Sequence, residues 1–203
     1  MIKPYLQLET DIRDVIINPS ILDYAPDENG NHPIPYRSYK KDCLGDYFKK
    51  DFLDKLETYG ELQGAFTWVK YSNFPELTIH TDYNQQISLN AVITDDHIVE
   101  KGTMKWYTLN ENETGPYEMA VAPKFIADFM SDDDKDPLFE RYKEEQLTLL
   151  DQYIVGPKLT LVRVDLPHTA TTGNFKRLLI SFRFNNTDRA WEETVKFFSD
   201  LKI

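Results

Sequence analysis

His80 and Asp82 stand two apart in the run LTIHTDY, and His168 lies far downstream in VDLPHTA. On an extended strand alternate side chains share a face, so His80 and Asp82 point the same way. Two imidazoles and one carboxylate can bind one side of a divalent transition metal. Its remaining positions then stay open, which is the ligand arrangement of non-haem Fe(II) sites. Arg177 follows nine residues after His168 and opens the strand-like run RLLISFRF. A guanidinium there can grip a carboxylate with a two-pronged hydrogen bond. Arg177, Leu179, Ser181 and Arg183 would share one face of that strand, so Arg183 is an alternative carboxylate partner. A plainer account stays open beside this one. The chain has 4 His among 34 acidic residues, so a His-x-Asp spacing also arises by chance. His80 would then be a strand histidine paired to Asp82, His168 a loop residue and Arg177 a surface charge.

The elements that must carry these residues are mostly β. LQGAFTWVKY, LTIHTDY, ISLNAVIT, TMKWYTL and YEMAVAP are short β-favouring runs between polar or Pro/Gly turns, a pattern of sandwiches and barrels. In QQISLNAVIT, Ile87, Leu89, Ala91 and Ile93 share one face and Ser88, Asn90, Val92 and Thr94 the other. The half-polar second face suits a strand lining a cavity. The run VRVDLPHTATTGNFKRLLISFRF reads as strand, loop with His168, loop with glycine, and a strand beginning at Arg177.

Through these residues and their strand context the chain resembles the 2-oxoglutarate/Fe(II)-dependent dioxygenase superfamily, in its smaller cupin-like hydroxylase branch. The likeness covers roughly residues 62–185. It implies a mainly β fold with flanking helices, built as a double-stranded β-helix (jelly-roll) barrel. It implies Fe(II) on His80, Asp82 and His168, with 2-oxoglutarate bound to the metal and to Arg177. Ser181 is a candidate hydroxyl donor to the same carboxylate. The superfamily often places that serine two residues after the arginine, and here it is four. Asn90 and Tyr71, on neighbouring strand-like segments, are further candidate donors. The implied reaction is hydroxylation of a C–H bond with release of succinate and CO2. The substrate would be a protein side chain or a small molecule. The rival in another class is a cupin-like metal- or ligand-binding protein without turnover; a third is a structural jelly roll.

Around that core the sequence predicts one domain over 1–203, with a mixed preface over 1–60. RDVIINP reads as a short strand or a turn. KDCLGDYFKKDFLDKLETYG has helical spacing, with Gly60 to end it. Residues 124–153 read as an acidic insert of helical pattern, a candidate lid over the site. Asp132 to Asp136 reads as a solvated acidic turn. The tail 187–201 is an amphipathic helix, capped by Thr187 or Asp188, with Trp191, Val195, Phe198 and Leu201 as its apolar stripe.

Composition excludes some functions. A net charge of −11 repels phosphate backbones, so no direct nucleic-acid partner is expected. One cysteine, Cys43, cannot form an intramolecular disulfide and fits a reducing compartment; it is expected to be structural. The first residues lack the apolar core of a signal peptide, and no apolar run reaches membrane-span length. A cytoplasmic protein without a membrane partner is expected. His97 and His32 lie in turn-like and proline-rich stretches and compete poorly as ligands. Trp106 and Tyr107 are expected in the core or a cavity wall.

Overall fold

Alternation of apolar and polar side chains builds most of the molecule. The computed structural model describes residues 3–23, 36–70, 79–82, 85–94, 103–120, 139–170, 177–185 and 189–201. The strands are β1 (Tyr5–Asp11), β2 (Tyr36–Lys40), β3 (Leu62–Lys70), β4 (His80–Asp82), β5 (Ile87–Thr94), β6 (Thr103–Leu109), β7 (Glu118–Ala120), β8 (Phe139–Arg141), β9 (Leu147–Ile154), β10 (Lys158–Arg163), β11 (His168–Ala170) and β12 (Arg177–Phe184). The α-helices are α1 (Lys50–Tyr59) and α2 (Trp191–Asp200).

The strands form two antiparallel six-stranded sheets. The first has the order β1-β10-β5-β12-β3-β2 and the second β7-β8-β4-β11-β6-β9. The mainly β architecture with few helices is as the sequence predicts. In the first sheet β12 is central, paired along its length with β3 on one side and β5 on the other.

The period of two sorts the first sheet into two faces. One face carries Leu89, Ala91, Leu161, Leu178, Ile180, Phe182 and Phe184, packed with Phe48, Phe52, Leu56, Tyr59 and Phe198 in the larger core cluster. Phe182 meets Phe48 and Phe52 edge-on, with ring centroids 4.9 and 5.3 Å away. Each fully buried aromatic of this kind contributes about 1.5–3 kcal/mol. The other face, towards the second sheet, carries Val92, Val162 and Leu179, which join Met104, Trp106, Val155 and Val164 in a smaller cluster. Polar side chains sit on this inner face too: Ser88, Asn90, Thr160, Arg177 and Ser181 are all buried. That agrees with the half-polar face of β5. Gly64 lies beside Arg183 in the ladder, and a Cβ there would stand 2.5 Å from the Tyr39 carbonyl oxygen. The close approach of β2 to β3 therefore needs glycine.

Several local expectations change. The insert is not helical where it is described. Phe139–Arg141 and Leu147–Ile154 are strands, joined through a 3-10 turn at Glu144–Gln146. The segment is rich in Glu, Lys, Gln and Leu, which favour helix, but pairing with β4 and β6 overrides that weak preference. Asp132–Asp136 and the rest of the insert up to residue 138 lie outside the described residues. The helical stretch before Gly60 divides into a 3-10 helix, Lys41–Asp46, and α1; Gly60 follows directly with extended backbone. RDVIINP takes the turn of its two expected readings, opening in the 3-10 turn Ile12–Asp14. Cys43 is exposed, so it does not pack in the core. Of the stripe expected on α2, Trp191, Phe198 and Leu201 pack against the core, and Thr194 is also buried, its hydroxyl sharing a hydrogen bond with the Tyr59 hydroxyl at 3.0 Å. Ala190 precedes α2 without a side-chain cap, and Thr187 and Asp188 lie outside the described residues. Among the described residues, no helix is long and apolar enough to cross a membrane.

Candidate metal centre

β4 is only three residues long, and two of them are the predicted ligands. His80 is the direct antiparallel partner of His168 on β11. Directly opposed residues bring their Cβ atoms within about 4.5–5.5 Å on one face, so this pairing makes the imidazoles neighbours. Their ring centroids are 4.5 Å apart at an interplanar angle of 49°. Asp82 follows on the same face, with Oδ1 3.5 Å from His80 Nε2. One ligand atom from each of the three residues lies within 4.8 Å of the others, so His80, Asp82 and His168 can hold a metal ion. All three are buried.

The surroundings fix protonation as well as position. His168 Nδ1 is 2.9 Å from the Leu166 carbonyl oxygen. A carbonyl only accepts, so Nδ1 carries the proton and Nε2 keeps its lone pair for a metal. Burial and then the neighbouring His80 push the His168 pKa down to about 4, which leaves the imidazole neutral at physiological pH. Burial alone would raise the Asp82 carboxyl. The Arg183 guanidinium and both imidazoles outweigh it, holding the group below the usual carboxylate range. A neutral imidazole and an ionised carboxylate are the forms that ligate cations.

Arg183 supplies the tightest contact at the site. Its Nη1 donates to Asp82 Oδ2 at 2.5 Å, and its guanidinium lies over the Phe66 ring at 4.9 Å. The contact runs from the first sheet to the second. The sequence shows Arg183 on the face of Arg177, but not the strand across the gap that supplies its partner.

Arg177 opens β12 on that inner face and is 5% exposed. Burial lowers its pKa to about 10, so it stays cationic at neutral pH. No carboxylate among the described residues offsets that burial. Ser181 and Asn90 are on the same face but engaged elsewhere. The Ser181 hydroxyl is 2.8 Å from the Ser88 hydroxyl, and Ser88 Oγ donates to Asn90 Oδ1 at 2.5 Å. Tyr71, His97 and His32 lie outside the described residues. Trp106, the ladder partner of His168 on its other side, is fully buried and donates its indole N–H to the Arg163 carbonyl at 2.8 Å. It belongs to the smaller core cluster, one of the two places expected for it.

Sequence reasoning did not single out Trp68. It is the ladder partner of Leu179 on the inner face, and its buried indole nitrogen has no hydrogen-bond partner among the described residues. A buried donor left unpaired is costly, so it marks a place where an acceptor would be stabilised. The alternation FTWVK in β3 was the available signal, since it puts Phe66 and Trp68 on one face.

No protein-family model matches the chain, and no curated protein matches it significantly.

Proposed function

We propose that this chain is an Fe(II)- and 2-oxoglutarate-dependent oxygenase of jelly-roll type, hydroxylating a C–H bond of a protein side chain or small molecule. The observation that carries the reading is the pairing of a buried His–Asp–His cluster with Arg177, a buried cation lacking a carboxylate among the described residues. Fe(II) suits this donor set, because two imidazoles and one carboxylate leave positions free for other ligands. When bound, iron would supply the redox chemistry by which 2-oxoglutarate, O2 and a substrate C–H bond become succinate, CO2 and an alcohol.

The chain's own residues have distinct tasks in this reading. His80 and His168 bind as neutral donors, and the Leu166 carbonyl keeps the His168 ring turned with Nε2 inward. Asp82 gives the anionic ligand, and Arg183 holds its second oxygen. Arg177 takes the far carboxylate of the 2-oxo acid, where a desolvated ion pair offsets the burial of both charges. The apolar cluster of Trp106, Val92 and Leu179 lies between the sheets on the face that carries Arg177, and would limit water near that pair. The proposed setting is the reducing cytoplasm, in keeping with the single cysteine.

Succinate formation tests the proposal. Wild-type protein with Fe(II), ascorbate and 2-oxoglutarate should form succinate above background in air, and Asp82→Ala should not. A wild type that binds both metal and 2-oxoglutarate, yet forms no succinate with or without candidate substrates, is a binding protein instead.

A further inference from the structure

The strand that carries two of the three ligands is held from behind. β4 meets β11 through a single residue pair, His80 with His168, whereas β8 pairs with all three of its residues. Beyond the His80–His168 pair and the bond from the Asp82 N–H to the Val164 carbonyl at 2.9 Å, so short a strand has little on that side to fix its register. Register matters here, because a slip of one residue would turn His80 and Asp82 outward and bring Thr81 in.

Thr81 lies between the ligands, so its side chain is on the opposite face of the sheet. There its hydroxyl donates to Glu140 Oε2 at 2.9 Å. Glu140 is also the ladder partner of Thr81, so the side-chain bond and the backbone pairing demand the same register. The Tyr142 hydroxyl donates to the same Glu140 oxygen at 3.0 Å, and the Tyr142 backbone N–H donates to the Ile79 carbonyl, also at 3.0 Å. Ile79 immediately precedes β4. Thr81 and Tyr142 are buried, and Glu140 is half-buried. Hydrogen bonds to an ionised acceptor shielded in this way are about twice as strong as neutral ones.

The geometry points to Glu140 as a positioning residue which, through Thr81 and Tyr142, locks the register of β4 and keeps His80 and Asp82 on the metal-binding face. It touches no ligand atom. The inference rests on the metal reading above.

The test is a Co(II) titration of the full chain, followed through the visible absorption of the bound ion, with thermal unfolding measured in parallel. Thr81→Val removes the donor with little change in shape, and Glu140→Leu removes the acceptor. Each should weaken Co(II) affinity about tenfold, the scale of one lost hydrogen bond to a charged group expressed through the register of β4, and alter the shape of the Co(II) spectrum. Glu140→Gln keeps an acceptor oxygen and should recover most of the affinity. Thr148→Val is the control. It deletes a threonine hydroxyl bond in the same sheet, the exposed one from Thr148 Oγ1 to Asn110 Oδ1 at 2.7 Å, away from β4, and should leave Co(II) affinity unchanged. If Glu140→Leu fails to fold, Thr81→Val and Tyr142→Phe, each deleting one donor, carry the same comparison. Affinity in Thr81→Val equal to that of the control, or a loss in Glu140→Gln as large as in Glu140→Leu, would overturn the register lock. A wild type that binds no Co(II) fails at the metal reading itself, whereas a wild type that binds alongside unaffected variants sinks only the lock.

Discussion

Arg183 on the first sheet and Asp82 on the second are joined by a 2.5 Å hydrogen bond, so one oxygen of the candidate metal-binding carboxylate already belongs to a cation of the protein. The side chains are 24% and 9% exposed. Arg183→Leu leaves the Asp82 carboxylate without its guanidinium. Without metal this should cost about 1–3 kcal/mol, less than losing a fully buried pair because the guanidinium is partly solvated. A bound dication would replace the missing positive charge. The metal-induced rise in Tm should therefore be larger in Arg183→Leu than in wild type, by the linkage of ligand binding to stability. Differential scanning calorimetry with and without Co(II) checks this, and equal rises in both proteins would contradict it.

Arg177 supplies the second prediction. Among the described residues no carboxylate balances the buried Arg177 cation, so Arg177→Leu should not cost the metal-free protein stability and should add some. In the proposed reaction the same substitution should weaken 2-oxoglutarate binding by about 2–5 kcal/mol, because the far carboxylate loses its desolvated partner. Arg177→Lys should fall between the two, since charge survives while the fork is lost. Calorimetric titration with 2-oxoglutarate in the presence of Co(II) reads this directly. Unchanged affinity in Arg177→Leu would remove the assigned role.

How much of this was legible in the sequence depended on the range of each interaction. His80 and Asp82 share a face because of spacing within one strand, so their association could be read directly. The direct pairing of His168 with His80 depends on the register between segments far apart in the chain, which no local pattern encodes. Arg183 was visible on the face of Arg177, but its bond to Asp82 crosses between sheets. Glu140 was hidden most deeply. Its neighbours Phe139, Tyr142 and Leu147 sit among strong helix formers, so local preference pointed the wrong way, and strand pairing with β4 decided the outcome. The helix before Gly60 and the two faces of β5 were readable because burial there follows a simple period.

A core prediction follows from Phe182. Its side chain is fully buried between Phe48 and Phe52, on the face of β12 that looks away from the candidate site. Phe182→Ala should cost about 3–5 kcal/mol of unfolding free energy through lost burial and an unfilled cavity. Metal affinity of the folded fraction should change little, because the neighbours Ser181 and Arg183 face the other way. Denaturant unfolding together with a Co(II) titration checks both halves.

Tyr142 predicts how stability falls at alkaline pH. Burial, and then its hydrogen bond to the Glu140 carboxylate, raise its pKa from the usual 10 to about 12. The folded chain therefore holds this phenol proton after the unfolded chain has released it. Between pH 10 and about 12 the unfolded state binds fewer protons at this position, so stability falls as pH rises through that window. The contribution is fully present below pH 10 and gone above about 12. Tyr142→Phe removes the ionisable group and keeps the ring. Its stability should decline less steeply than that of wild type across the same window, although it starts lower at neutral pH for want of one hydrogen bond to Glu140. Urea unfolding midpoints measured from neutral to strongly alkaline pH test this, with phenolate absorbance showing one late-titrating tyrosine in wild type that the variant lacks. Parallel alkaline limbs for the two proteins would mean that Tyr142 titrates as an ordinary exposed phenol and that its bond to Glu140 is not maintained in solution.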